Sequence, residues 1–517
     1  MAVSTPRPDG ASTPAATGPD GSGRLTRSLS VWQAVGLSVA LMAPSMAANI
    51  NPQGTAGTVG RAVPLAFALA AIGVLLVAYG FVRLCQYFHH AGSVYAFVGA
   101  TLGPRTGLVS GFGLLGTYCF YGVVTSSATG IFGTAFLQAV GIWPNPPSWA
   151  PFLLVVVALL GALALTIVPA KRGTSVLLAV EGVTVALILV ISAIVLVRLL
   201  SGNVPAGAPS PNAVFTWDVF TVAPGTDLSA VFLGVVFGFL SFAGFEAAAT
   251  LGEEARNPRK DIPRAILGTA VFGGVYFVVV TAIEMMAFGT DDAGVAAFAS
   301  SPSLLGDLGS SYIAGGVGDL ITLGAAVSAF GCCLACVVGA SRLTFAFARD
   351  TRHDPTRTGG LAATTPAGTP AVAAIVVTAV MALIQLGCAV LFHAKAFDTF
   401  LWSGTIGTLI LLVAYLLTTI GAIRLVFVQR RMPAVPMWQV VVPVLALVVL
   451  GYTVWRNVAP YPAYDSGPAF WFPIVAGAWL LVGVVAVLVA PAMGQRAGAA
   501  LTAAELGARQ EEQTAEA

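Results

Sequence analysis

Charge is what this chain has least of: only 9% of its 517 residues are Asp, Glu, Lys or Arg, against 57% hydrophobic. A soluble domain of that size could not bury so much apolar surface and keep so few charges outside. With a mean hydropathy of +0.89, the sequence reads as an all-α polytopic membrane protein whose surroundings are membrane lipids. The net charge of +2 is too small, and the basic residues too scattered, for a nucleic-acid partner. Cysteine is also scarce. Cys85, Cys119 and Cys388 are isolated, and Cys332, Cys333 and Cys336 share one apolar stretch. A C-x-x-C could bind metal or cycle redox, but no further Cys/His cluster completes a four-ligand site, so small packing residues are expected and no cofactor or metal. The sequence lacks H-E-x-x-H, G-x-S-x-G and any paired His/Asp site, which argues against an enzyme; it lacks a Walker A segment and a repeated filter, which argues against an ATP-driven pump and a channel.

Residues 1–29 are rich in Pro, Gly, Ser and Thr without an apolar run, which reads as a disordered tail rather than a cleavable signal. Twelve apolar stretches follow, each near the ~20 residues that cross a bilayer: 31–51, 62–84, 107–140, 151–168, 174–200, 228–251, 265–288, 316–347, 371–391, 399–425, 437–455 and 470–489. With the N-terminus inside, 20 of the 24 Lys and Arg fall on the cytoplasmic side, leaving Arg61, Arg198, Lys395 and Arg456 outside. That asymmetry obeys the positive-inside rule, and one span more or fewer would scramble it. Both termini are therefore expected in the cytoplasm. Residues 201–225 and 290–311, Gly/Pro/Asp-rich, read as external segments, and 491–517 as a polar cytoplasmic tail able to form a short amphipathic helix.

Two spans depart from continuous apolar helix. In the first, Pro44 follows Ala43 and precedes Ser45, Asn49, Asn51 and Pro52. Proline removes a helical hydrogen bond and disfavours helix at the residue before it. In the sixth, regularity is lost at residues 241–244, and Glu246 follows within apolar sequence. A Glu near mid-bilayer costs ~2.5 kcal/mol or more, so it is a functional residue by default; the plainer alternatives are a helix cap there and an ordinary proline kink in the first span. Unsatisfied backbone in a bilayer is tolerated only where it lines a cavity or is buried in protein. Interrupted helices at matching positions of two halves mark a secondary transporter's binding site, because half-helix N–H groups attract anions and freed carbonyls attract cations. A zwitterion suits both.

The run FLSFAGFEAAATLGEEARNPRKDIPRAI resembles the sixth-helix signature of the amino acid-polyamine-organocation (APC) superfamily, an F-x-G-F-E core followed by E-E-x-x-N-P-x-x-x-I-P-R-A. Here these are Phe242, Gly244, Phe245 and Glu246, then Glu253, Glu254, Asn257, Pro258, Ile262, Pro263 and Arg264. Gly92, Tyr95, Gly103, Pro104 and Gly107 match the stretch between helices two and three, and Ser341, Arg342, Ala348, Arg349 and Asp350 match the exit of helix eight. The similarity runs from Leu29 to Arg424 and on toward Ala490. It implies a LeuT-like 5+5 inverted-repeat core with discontinuous helices 1 and 6 over residues 30–425, two peripheral helices over 426–490, and twelve transmembrane helices in all. It further implies a substrate between the two breaks. The carboxylate of an amino acid would meet N–H groups around Met42, Ala43, Ser45, Met46 and Ala47. Its amine would meet carbonyls of Ser241, Phe242 and Ala243 beside Gly244, with Phe245 or a neighbouring aromatic closing over it. The chain departs from the family pattern in carrying APSMAAN where many members have a run of Gly.

Glu181 lies about two turns into the fifth span, where some proton-coupled relatives carry Lys. A carboxyl taken out of water favours its protonated form, so Glu181 and Glu246 are the expected proton-coupling pair, with sodium as the alternative ion and a polar contact between spans as the plain alternative for Glu181. Glu284 is expected to face the membrane interface, and His89 and His90 to be solvated loop residues. The mixed charges of 252–264 allow two readings, an inner gate of several ion pairs or an amphipathic connector at the head groups. The function expected is secondary active transport of amino acids through the cytoplasmic membrane by alternating access, coupled to protons. An amine or polyamine permease (GABA, putrescine-like) or an exchanger is the alternative, and a sensor on a transporter fold the rival of another class. Composition points to a bacterial source.

Overall fold

The computed structural model describes residues 30–88, 93–168, 171–251, 255, 257–351, 359–365, 368–432, 435–459 and 467–499. Among them there is no strand, and ten helical stretches are long and apolar enough to cross a membrane. The first, Val31–Tyr87, has 57 residues, about 85 Å at 1.5 Å per residue and more than twice the ~30 Å hydrocarbon core. It cannot be one straight span. The chain divides it into α1 (Val31–Met42), α2 (Pro44–Val59) and α3 (Val63–Tyr87). Between α1 and α2, Ala43 adopts a left-handed backbone with φ 44° and ψ 58°. For a residue with a Cβ this costs about 1–2 kcal/mol. Pro44 then serves as the first residue of α2, where its missing N–H is no loss.

The next helices are α4 (Ser93–Leu102), α5 (Pro104–Ala139), α6 (Ala150–Ile167) and α7 (Lys171–Leu200). Helix α8 (Leu228–Phe242) is the second interrupted element. Asp227 caps its start by accepting from the Ala230 N–H at 2.7 Å. After Phe242 the backbone opens, passes through Gly244 at φ 105°, and resumes as a short 3-10 turn, Ala247–Leu251. Beyond it lie α9 (Pro258–Phe288), α10 (Asp292–Ser300), α11 (Leu304–Tyr312), α12 (Gly315–Asp350), α13 (Ala371–Leu391), α14 (Ala396–Ile423), α15 (Val441–Val458) and α16 (Phe472–Val489). Ten of the twelve expected spans coincide with one long helix each; the other two are the segments that contain the breaks. Three helices went unforeseen. α4 occupies a stretch read only as a motif, and α10 and α11 occupy most of the external segment 290–311.

The packing order explains which helices the site draws on. α5, α12 and α14 pack side by side at the centre, α3 lies along α9, and α2 along α8. α15 and α16 sit at the periphery. Trp479 of α16 donates to the Phe112 carbonyl of α5 at 2.9 Å, and Arg456 of α15 donates to the Ser229 carbonyl of α8 at 3.1 Å. Outward faces remain apolar: Leu153, Val157 and Leu160 on α6, Leu383 and Leu386 on α13, and Leu481, Val485 and Leu488 on α16 are exposed. Such faces are tolerable only against lipid or another protein. Residues 491–499 are helical, as the tail's sequence allowed.

Candidate functional site

Helix α2 begins in the protein interior, so its first N–H groups need partners that water cannot supply. Each has one. The Ser45 N–H donates to Glu181 Oε1 at 2.9 Å, the Met46 N–H to Ser328 Oγ at 3.3 Å, and the Ala47 N–H to the Ala43 carbonyl at 2.8 Å. Glu181, on α7, is 6% exposed. Its carboxyl stands where the positive end of the α2 dipole favours an anion. On the α1 side of the break, Cys332 Sγ donates to the Leu41 carbonyl at 3.0 Å, and on the α2 side the Tyr276 hydroxyl donates to the Pro44 carbonyl at 3.3 Å. The interruption that Pro44 creates is therefore closed by α7, α9 and α12 together.

The second break has a carboxyl of its own. The Gly244 N–H donates to Glu246 Oε2 at 3.2 Å. Two bonds then tie this break to the first interrupted segment: the Ala248 N–H donates to Ser38 Oγ on α1 at 3.0 Å, and Asn51 Nδ2 on α2 donates to Ser241 Oγ at 2.7 Å. Glu246 lines a cavity bounded by the ends of α1 and α2, by α5, α12 and α14, and by the bend after α8.

Of the residues expected around a substrate, Met42, Met46, Ala243 and Gly244 line this one cavity, together with Glu246, expected as a proton-coupling residue. Ala43, Ser45, Ala47 and Ser241 are buried in the backbone junctions beside it. Phe242 turns toward Phe277 of α9, ring centres 5.3 Å apart, and Phe245 packs edge-on against Phe81 and Tyr415, each at 5.8 Å. The aromatic surface of the cavity comes instead from Tyr118 and Tyr121 on α5. No sequence signal singled these two out, because their helix is apolar and regular. Ser38, Tyr276 and Ser328 were missed for the same reason.

Glu284 corrects an expectation. It does not face the membrane interface: it is fully buried, and among the described residues no donor reaches either of its carboxyl oxygens. The sequence places it near a helix end but cannot say which side of the helix the bundle covers. His89, His90 and Glu253, Glu254 and Arg256 of the charged connector lie outside the described residues. The hairpin of α10 and α11 is latched to α2. Asn49 Oδ1 accepts from Ser303 Oγ and from the Leu305 N–H, both at 2.9 Å, and Gln53 donates to the Phe298 and Ser301 carbonyls. Within the hairpin, Ser301 Oγ donates to Asp307 Oδ2 at 2.6 Å. Burial raises the Asp307 carboxyl above its ordinary range, and that hydroxyl partly offsets the rise.

The family model described as amino acid permease matches residues 32–493. Over 291 residues the chain is 28% identical to the low-affinity putrescine importer PlaP of Escherichia coli (strain K12), covering 56% of this chain and 59% of that one. It is 25% identical over 314 residues to the branched-chain amino acid permease BcaP of Bacillus subtilis (strain 168), covering 57% and 61%. It is 30% identical over 298 residues to an uncharacterized transporter of Mycobacterium tuberculosis (strain ATCC 25618 / H37Rv), covering 57% and 60%. The chain thus spans about three-fifths of the length of these curated relatives.

Proposed function

The chain belongs to the amino acid permease family, and we propose that it is a secondary active transporter, carrying an amino acid or an organic amine across the cytoplasmic membrane by alternating access and coupled to protons. The observation that carries this reading is the pairing of each helix break with a buried carboxyl: Ser45 N–H with Glu181, and Gly244 N–H with Glu246. A carboxylate accepts an N–H bond more strongly than a carboxylic acid does. Adding a proton to either group therefore loosens the backbone it holds, and that is how proton binding would bias the rearrangement of α1–α2 or of the bend after α8. Glu246 also lines the cavity, so proton and substrate meet at one residue.

The two breaks lie five spans apart, which favours an inverted-repeat core of spans one to five and six to ten, with α15 and α16 behind it. Counting the long Val31–Tyr87 stretch as two crossings, and α8 with its 3-10 turn as one, gives twelve; an even count puts both termini on one side, and the Lys and Arg asymmetry favours the cytoplasm for them. The names of the relatives, one a putrescine importer and one a branched-chain amino acid permease, support both substrate classes.

The test is uptake of a labelled amino acid and amine panel into proteoliposomes, with and without an inward proton gradient, for wild type and Glu181→Gln. Gradient-driven accumulation lost in the variant, with counterflow retained, is the expected result. Uptake indifferent to gradient and variant alike overturns proton coupling and leaves exchange or sodium. No flux for any panel member moves a sensor ahead of a transporter.

A further inference from the structure

A site built to hold a zwitterion must offer donors to its carboxylate and acceptors to its amine. At the first break the donors are already used. Pro44 has no N–H, and those of Ser45, Met46 and Ala47 are satisfied by Glu181 Oε1, Ser328 Oγ and the Ala43 carbonyl. Met42 and Met46, on either side of this seat, line the cavity, whereas Ser45 and Glu181 do not reach its surface. An incoming carboxylate would have to displace a carboxyl group that the chain itself holds in place.

The cavity wall shows the same bias. Among the residues that line it there is no Lys, Arg or His, and Glu246 is its one carboxyl. Its smaller donors are turned into the protein. Thr125 Oγ1 donates to the Tyr121 carbonyl at 2.8 Å, Thr250 Oγ1 to the Ala247 carbonyl at 2.7 Å, and Cys332 Sγ to the Leu41 carbonyl at 3.0 Å. Hydroxyls used in this way present lone pairs rather than protons to a ligand. A buried carboxylate without a cationic neighbour takes up a proton or a cation, and an ammonium brings three donors and no acceptor.

We propose that Glu181 determines specificity by filling the carboxylate seat at the start of α2, so that the substrate is an organic ammonium ion without a carboxylate, its amine held by Glu246. This rests on the reading of the cavity as a transport site. With its carboxyl on the Ser45 N–H, Glu181 excludes α-amino acids; the apolar remainder of the cavity accommodates an alkyl chain.

The test compares a matched pair on the purified full-length protein, 1,4-diaminobutane and its carboxylated counterpart ornithine, by equilibrium binding. Wild type is expected to bind the diamine at least tenfold more tightly. Glu181→Ala, which empties the seat, is expected to raise ornithine affinity at least tenfold and so to close that gap. Glu181→Gln refills the seat without charge and is expected to leave ornithine affinity as low as in wild type; helical circular dichroism and monodisperse elution identify each variant as folded. Equal binding of the two by wild type overturns the proposal, as does a Glu181→Ala protein whose preference is unchanged. Should Glu181→Ala fail to fold, the wild-type ratio decides alone. Failure of the transport reading looks different: neither compound, nor any amino acid, then gives counterflow in proteoliposomes.

Discussion

Gly244 sits against the backbone of Leu41, so closely that a Cβ at Gly244 would lie 2.6 Å from Leu41 Cβ, 3.1 Å from its carbonyl carbon and 3.2 Å from the Met42 nitrogen. The two helix breaks thus touch through a residue that has no side chain and a φ of 105°. Gly244→Ala meets rigid backbone and a left-handed strain of ~1–2 kcal/mol at once. It is expected to lower the thermal midpoint of the detergent-solubilised protein and to reduce transport at least tenfold. Unchanged melting and flux would show that the breaks do not bear on each other.

Asn49 holds the α10–α11 hairpin through two bonds to one buried oxygen. Asn49→Ala leaves the Leu305 N–H and the Ser303 hydroxyl without that acceptor, a loss of ~1–3 kcal/mol for each group left unsatisfied. Faster hydrogen exchange at residues 303–305, with that at α14 unaffected, is the expected signature. Protection that survives the substitution would place the latch elsewhere.

The same hairpin carries a pH dependence whose sign follows from Asp307. Its carboxyl is raised by burial, so the folded hairpin favours the protonated form. That contribution is full below the ordinary Asp range of about 3.9 and is lost as pH rises through the raised value. Exchange protection of residues 301–307 is therefore expected to fall on going from acid toward neutral pH, and Asp307→Asn to flatten the profile. A wild-type profile as flat as that of Asp307→Asn would remove the carboxyl from the account.

Glu284 is buried with both oxygens lacking donors among the described residues. Removing such a group without leaving another unpaired relieves a desolvation penalty. Glu284→Met, close in volume, is expected to raise stability by about 1–3 kcal/mol, read as a higher thermal midpoint. A lower midpoint would mean that the carboxyl has a stabilising partner in the folded protein.

The helical, membrane-spanning character of the chain follows from its sequence alone, because length and hydropathy decide whether a segment can cross a bilayer. Both breaks were legible for an equally local reason: Pro44 has no N–H to give, and Gly244 is followed by an acid in apolar surroundings. The partners of the first break were not. Glu181 stands 136 positions from the amide it caps, and nothing in a regular apolar helix says which of its faces will meet another. The same reason left Tyr118, Tyr121, Tyr276 and Ser328 unseen, sent Glu284 to the wrong environment, and gave Phe242 and Phe245 to neighbouring aromatics rather than to the cavity. Local backbone chemistry determined where the helices stop. Only the packing of α5, α7, α9 and α12 around those stops decided which side chains close them and which face the space between.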